Sequence, residues 1–246
     1  MPRRWLRLGL FVGAVVSGVA VAQERIDFPT RPGVTQTIYV TAAPSPFASA
    51  ILFPGKSGNV NQVRSNFLIR AAPRFAALGL TVAVADTPSD RAAGMELQFR
   101  ASDAAAADTA SIVAWLKTRA AVPVWVIGTS RGSISAANAA IRLGRGKIAG
   151  VVLTSSVWAD GMQLVPVDKI LVPILIVHNR DDICGSSPFA GAERAYSTIG
   201  AAPAKEFLPV TGGSVRGDAC GAQSPHGYLG IEDQVVQPIA AWMRSH

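Results

Sequence analysis

The sequence predicts an α/β domain: a mostly parallel central sheet with helices on both faces. Three observations carry this. The apolar runs "LTVAVADTP", "VPVWVIGTS", "IAGVVLTSSVW" and "VPILIVHNRDD" lack the polar alternation of a half-exposed strand, so both faces of each should be buried. Helical segments separate them, and strands alternating with helices along a chain are the mark of parallel pairing. Of the 246 residues, the 224 that follow the first 22 suit one such domain better than two.

The elements follow in order. From Thr35, "TQTIYVTAAP" alternates like an early strand, and "SAILFPG" (Ser49 to Gly55) is a short buried strand halted by Pro-Gly. In "VRSNFLIRAAPRFAALG", Phe67, Leu68, Ala71, Phe75 and Leu78 fall near helical spacing; Pro73, which has no N–H, is expected to kink or divide that helix. After the strand "LTVAVADTP", Asp103 to Ala120 is an Ala-rich helix with Ile112, Trp115 and Leu116 on its inner face. Next come the strand "VPVWVIGTS", the helix "RGSISAANAAIRLG", and the strands "IAGVVLTSSVW" and "VPILIVHNRDD". A helix from about Ala190, the strand "AKEFLPV" and the helix "EDQVVQPIAAWMRS" close the chain.

The first 22 residues read differently. Arg3, Arg4 and Arg7 precede an apolar run from Leu8 to Val21, and Ala20-Val21-Ala22 fits a small-X-small cleavage site, so residues 1–22 read as a secretory leader and 23–246 as the mature domain. The run is short of the ~20 residues that a spanning helix needs, and no membrane association is expected after cleavage. Removing three of the 23 basic residues leaves 20 against 16 acidic ones, a net charge of +4 with no dense Lys/Arg run. That gives a nucleic-acid partner no support. Cys184 and Cys220 both lie in the exported part; they are too few for a four-cysteine zinc site, and nothing in the sequence requires a cofactor or metal.

Chemistry centres on Gly128-Thr129-Ser130-Arg131-Gly132, a Gly-X-Ser-X-Gly pattern where a strand runs into a helix. In that setting the turn lifts a serine hydroxyl above the carboxyl edge of the sheet, where open α/β folds bind ligands. A serine needs a base within reach, and the base needs an acid to orient it. Of the three histidines, His246 is terminal, His178 ends an apolar strand beside the acidic turn, and His226 sits in the loop "SPHGYLG", which makes it the natural base. Asp182 in "LIVHNRDD" is the preferred acid, with Asp181 its rival. Two backbone donors should face the developing oxyanion: the N–H of Arg131 and the N–H of Lys56 in "FPGKSGN", where Gly55 permits close approach. The "GKS" string is no phosphate-binding loop, because Ala50 stands where the first glycine is required.

With "NFLIRAAPRFAALGLTVAVADTPSDR", "VPVWVIGTSRGS", "HNRDDIC" and "PHGYLGIE" in this order, the chain resembles the α/β-hydrolase superfamily, and within it the small secreted bacterial hydrolases of dienelactone-hydrolase-like build. The likeness spans nearly all of residues 35 to 246. It departs at Pro54, where many members carry His, and at Asn179, where Gly is usual and a left-handed backbone is expected. The resemblance implies hydrolysis of a small ester, or less often an amide, through an acyl-enzyme; a non-catalytic binding domain on the same fold is the other class. Only Ala159 to Lys169 separates two strands where relatives insert a lid, so an open cleft without a lid domain is expected, with Trp158, Met162 and Phe189 as candidate substrate contacts. Cys184 lies two positions after Asp182 and Cys220 six before His226. If those loops meet above the sheet, the two cysteines should form a disulfide.

Overall fold

Five strands are buried at every position: β3 (Ala48–Phe53), β4 (Leu80–Ala85), β5 (Val124–Thr129), β6 (Gly150–Thr154) and β7 (Ile174–Asn179). Their continuous Val/Ile/Leu/Ala content leaves no face for water, so helices must cover both sides. The computed structural model describes residues 23–246; the leader expectation, on residues 1–22, lies outside the described residues. Three further strands, β1 (Glu24–Pro29), β2 (Thr35–Thr41) and β8 (Lys205–Val210), complete an eight-stranded sheet of order β1-β2-β4-β3-β5-β6-β7-β8. The pairs β1–β2 and β2–β4 are antiparallel; all the others are parallel.

Side-chain alternation divides the core in two. Val126, Val151 and Ile174 point to the face covered by α3 (Asp103–Arg119), α4 (Gly132–Leu143) and α5 (Phe189–Thr198). Trp125, Ile127, Val152 and Leu175 point to the face covered by α1 (Phe67–Ala77) and α6 (Glu232–Ser245), where Trp125 meets Trp242 edge-on at 5.4 Å between ring centroids. A short helix, α2 (Leu97–Arg100), leads into α3. Register then decides where chemistry sits: Phe53 pairs with Gly128, Thr129 with Thr154, and Asn179 with Val210, so the carboxyl ends of β3, β5, β6 and β7 share one edge.

Two sequence expectations change. Pro73 does not divide α1, which runs unbroken from Phe67 to Ala77 with Pro73 on its exposed side. Trp115 is only half-buried and stacks on Phe28 of β1 at 6.4 Å and 2°. The strands expected from the sequence begin at Thr35 and miss β1, a short edge strand whose signal is only the alternation of half-buried Ile26 and Phe28 with exposed residues. Between β6 and β7 stand only the single turns Met162–Leu164 and Val167–Lys169, and no lid domain is present among the described residues.

The β1–β2 hairpin is held to α3 by charge. Arg31 donates from Nε and Nη2 to buried Asp108, both at 2.9 Å, while Thr30 Oγ1 donates to the same carboxylate at 2.6 Å. Replacing Arg31 with Met leaves the Asp108 charge buried without its partner and is expected to cost about 2–3 kcal/mol, below the fully buried range because Arg31 keeps some solvent contact. Arg74→Met, which breaks the exposed Arg74–Asp233 pair, should cost less than about 1 kcal/mol. Urea denaturation of both variants checks the ranking; equal losses would contradict it.

Candidate active site

The turn between β5 and α4 consists of Ser130 and Arg131 alone, and Ser130 takes a left-handed backbone, φ 54°. Such a conformation is unfavourable for a non-glycine residue and persists only where its surroundings fix it. Ser130 N–H donates to Thr154 O at 3.0 Å, and Ser130 O accepts from Ser133 N at 3.0 Å and also from the Ser133 hydroxyl. The flanking glycines are required by contact. A Cβ on Gly132 would lie 2.0 Å from Phe53 O, one on Gly128 2.4 Å from Gly132 O, and one on Gly55 2.8 Å from Ser130 Cβ. Ser130 thereby lines a cavity of about 60 Å³ together with Gly55, Lys56, Asn66, Cys220 and His226.

His226 lies in the single helical turn Pro225–Gly227, whose start is capped by Ser224 Oγ accepting from His226 N at 3.2 Å. Its Nδ1 is 2.8 Å from Asp182 Oδ2, and both side chains are buried. A carboxylate accepts only, so Nδ1 carries the proton and Nε2 is free to accept one. Nε2 is buried and has no hydrogen-bond partner. Asp182 Oδ1 accepts from Cys184 N at 2.9 Å, which fixes the carboxylate plane. Asp181 is exposed and turned elsewhere, accepting from Gly212 N at 2.6 Å, so of the two carboxylates it is that of Asp182 that meets His226. A disulfide joins Cys184 to Cys220, tying the acid loop to the loop that leads into His226.

His178 is the second histidine near Asp182, at 3.7 Å, and is fully buried. Its Nε2 donates to Ser187 O at 2.9 Å. Burial disfavours its charged form and holds its pKa below the usual histidine value, the hydrogen bond to Ser187 and the Asp182 charge opposing that only in part. It is therefore a neutral support for the acid turn.

Several fastening residues went unnoticed in the sequence. Ser155 Oγ donates to His226 O at 2.8 Å, and Ser155 N donates to Tyr228 Oη at 3.0 Å. Tyr228 Oη donates in turn to Val177 O at 3.0 Å, and burial pushes this phenol well above the usual tyrosine range. Asn179 is not left-handed, contrary to expectation: it ends β7, paired with Val210, and its Nδ2 donates to Gly212 O at 2.9 Å and Pro225 O at 3.1 Å. Arg70 reaches Gly227 O at 2.8 Å while paired with Glu232. Polar residues directly after apolar strands, "LTSS" and "HNRDD", were the available signal for the first and third of these.

The remaining candidates separate. Lys56 is exposed, left-handed at φ 50°, and lines the Ser130 cavity; Arg131 is exposed at the head of α4. Trp158 and Met162 line a different groove of about 310 Å³ with Gln163 and Arg194. Phe189 packs on His178 and Phe207 beneath the Arg180 guanidinium. None of these three lines the cavity of Ser130. For a metal, Asp182, Cys184 and His226 form the compact grouping among the described residues, but the Cys184 sulfur is bonded to Cys220 and the other two are paired with each other.

Solved structures share this architecture. An alpha-beta serine hydrolase homologue from Coxiella burnetii superposes with a TM-score of 0.65 at 17% identity, over 89% of this chain and 96% of that one. Dienelactone hydrolase from Anabaena variabilis gives 0.70 at 14% identity, over 92% and 98%. A serine hydrolase without a lid from Xanthomonas campestris gives 0.60 at 14% identity, over 90% and 96%. No family model matches the sequence, and no curated protein is significantly similar to it. At these identities the likeness is one of fold, and the chain has the α/β-hydrolase fold.

The His178 environment sets a pH dependence. Its folded pKa is depressed, so its contribution to stability is complete above the unfolded value of 6.5 and is lost as the pH falls through the folded one. Unfolding free energy should decline as the pH drops below about 6.5, and His178→Gln, which keeps a donor for Ser187 O, should flatten that decline. Urea titrations at several pH values measure both slopes; an unchanged slope in the variant would remove His178 as the cause.

Proposed function

We propose that the protein is a serine hydrolase that cleaves small esters through an acyl-enzyme. The observation that carries this is the buried Asp182–His226 pair, in which His226 keeps an unpartnered Nε2 and lines the same cavity as Ser130 on its left-handed turn. In this reading His226 Nε2 takes the proton of Ser130 Oγ as the oxygen attacks the ester carbonyl. Asp182 stabilises the imidazolium formed, and the same proton then goes to the leaving alcohol. Water repeats the sequence on the acyl-enzyme, with His226 again as base.

The tetrahedral oxyanion needs donors on the far side of the carbonyl. The backbone N–H groups of Lys56 and Arg131 suit this role, since neither donates to another group of the described chain and both flank Ser130. The cavity's small volume and its Lys56, Gln62, Ser65 and Asn66 side chains favour a short acyl group. The disulfide agrees with an exported protein, and no helix of the described residues is long and apolar enough to cross a membrane.

Ser130→Ala should lower ester turnover by at least ~10³-fold with the melting temperature retained, and should abolish stoichiometric labelling by a fluorophosphonate probe. A tenth of wild-type turnover surviving would remove Ser130 from the nucleophile role. Asp182→Asn should lose about 10⁴ in kcat through the wrong imidazole tautomer, whereas Asp181→Asn should lose far less. Nitrophenyl esters read against nitroanilides show whether the enzyme is an esterase or an amidase. Replacing Cys184 and Cys220 together with Ala should lower both the melting temperature and turnover: closing a loop across 36 positions is worth roughly 4 kcal/mol on chain entropy, and the acid and base sit at its ends. Unchanged values for both would contradict that role.

A further inference from the structure

Beneath the loop after β3 lies a cation that the proposed chemistry does not use. Arg100, the last residue of α2, is fully buried and has no carboxylate partner among the described residues. Its Nη1 donates to Pro54 O at 3.4 Å and to Ser135 Oγ at 3.1 Å, and its Nη2 donates to Lys56 O at 3.1 Å. The chain makes room for it: Gly58 stands at φ 80°, and a Cβ there would lie 2.7 Å from Arg100 Nη2. Burial, aided by the nearby Arg131 charge, lowers its pKa to about 9, so the guanidinium stays charged at neutral pH.

A buried cation without a counter-charge costs stability, and an apolar side chain of similar volume would avoid that cost. The groups it grips identify what it does instead. Pro54 O and Lys56 O belong to the peptide units on either side of the Gly55–Lys56 amide, and Ser135 lies on α4, one turn past Arg131. A planar fork with several donors can hold three acceptors in fixed relation, which a point charge or an apolar residue cannot. We infer that Arg100 is a positioning residue that sets the spacing between the Lys56 N–H and the Arg131 N–H, the two oxyanion donors. This rests on the hydrolase reading with Ser130 as nucleophile. Arg100 does not touch substrate; it braces the loop bearing one donor against the helix that begins at the other.

The test compares Arg100→Met, Arg100→Lys and Ser135→Ala with the wild type on p-nitrophenyl acetate. Phenylboronic acid serves as a tetrahedral mimic and circular dichroism as the control for folding. Loosening one donor by ~1 Å costs on the order of 100-fold, so Arg100→Met should lower kcat by about 30–100-fold with KM within about threefold, and should raise the boronate Ki by a similar factor. Arg100→Lys should recover part of both losses. Ser135→Ala removes only the α4 arm and should lower kcat about 3–10-fold with a parallel change in boronate Ki; it carries the test if Arg100→Met does not accumulate. A kcat and boronate Ki within twofold of wild type in the variants, or a rise in KM alone, would overturn the inference. Ser130→Ala keeps the two questions apart. If it stays active, Ser130 is not the nucleophile and the reading on which the brace rests fails; if it is inactive while the Arg100 and Ser135 variants run at wild-type rate, only the brace fails.

Discussion

The left-handed backbone at Ser130 is the constraint from which the rest of the site follows. A non-glycine residue at φ 54° costs about 1–2 kcal/mol, and nothing within the turn recovers it. Neighbouring strands hold it in place: β6 through the carbonyl of Thr154, and β3 through the carbonyl of Phe53, which Gly132 meets with no room for a side chain. Both contacts depend on the registers that put Phe53 beside Gly128 and Thr154 beside Thr129. Because β3, β5 and β6 are buried on both faces, a slip in register would misalign the packing of both hydrophobic layers at once. The two cores are thus what makes an unfavourable serine conformation permanent.

The loop that delivers His226 is held by different physics. From Thr211 to Gly230 the chain forms only one short helical turn, and it packs few large apolar side chains of its own besides Tyr228. Its position comes from hydrogen bonds to the polar ends of buried strands: Ser155 to His226 O, Tyr228 to Val177 O, Asn179 to Pro225 O. Each bond is worth only about 1 kcal/mol net, but leaving any of these buried groups unpaired costs more than the bond gains. Such a network specifies one arrangement more sharply than apolar contact does. The disulfide adds a covalent limit on drift where the Asp182 and His226 loops meet.

The sequence carried the fold well because uniform apolar strands and helical periodicity are signals of backbone burial, which is local in sequence. It carried the candidate triad for a related reason: each member follows the carboxyl end of a strand or the last strand's loop, and the chain order restricts the choice. Asn179 shows where this stops. Its position suggested a left-handed turn, yet the residue extends β7 and uses its amide to hold two points of the loop before α6, more than thirty residues away. Arg100 was silent for the same reason, since a single Arg in "LQFR" reads as a surface charge until the loop from β3 is folded over it. Long-range polar partners leave no periodicity behind.

That Trp158, Met162 and Phe189 lie outside the cavity of Ser130 points the same way and bears on what the cavity admits. Those residues were chosen for their apolar size, but Phe189 packs against His178, whose ring approaches the Asp182 carboxylate, so its bulk supports the acid from below. The cavity beside Ser130 is bounded mainly by the loop after β3, the start of α1 and the Cys220 loop, with Lys56, Gln62, Ser65 and Asn66 among its side chains. A long alkyl chain there would cover those polar groups without satisfying them, which opposes binding. On the proposed hydrolase reading, a short acyl group would leave them in contact with water with its carbonyl at Ser130. Selectivity for small substrates would then come from the polar groups that line this cavity as much as from its volume.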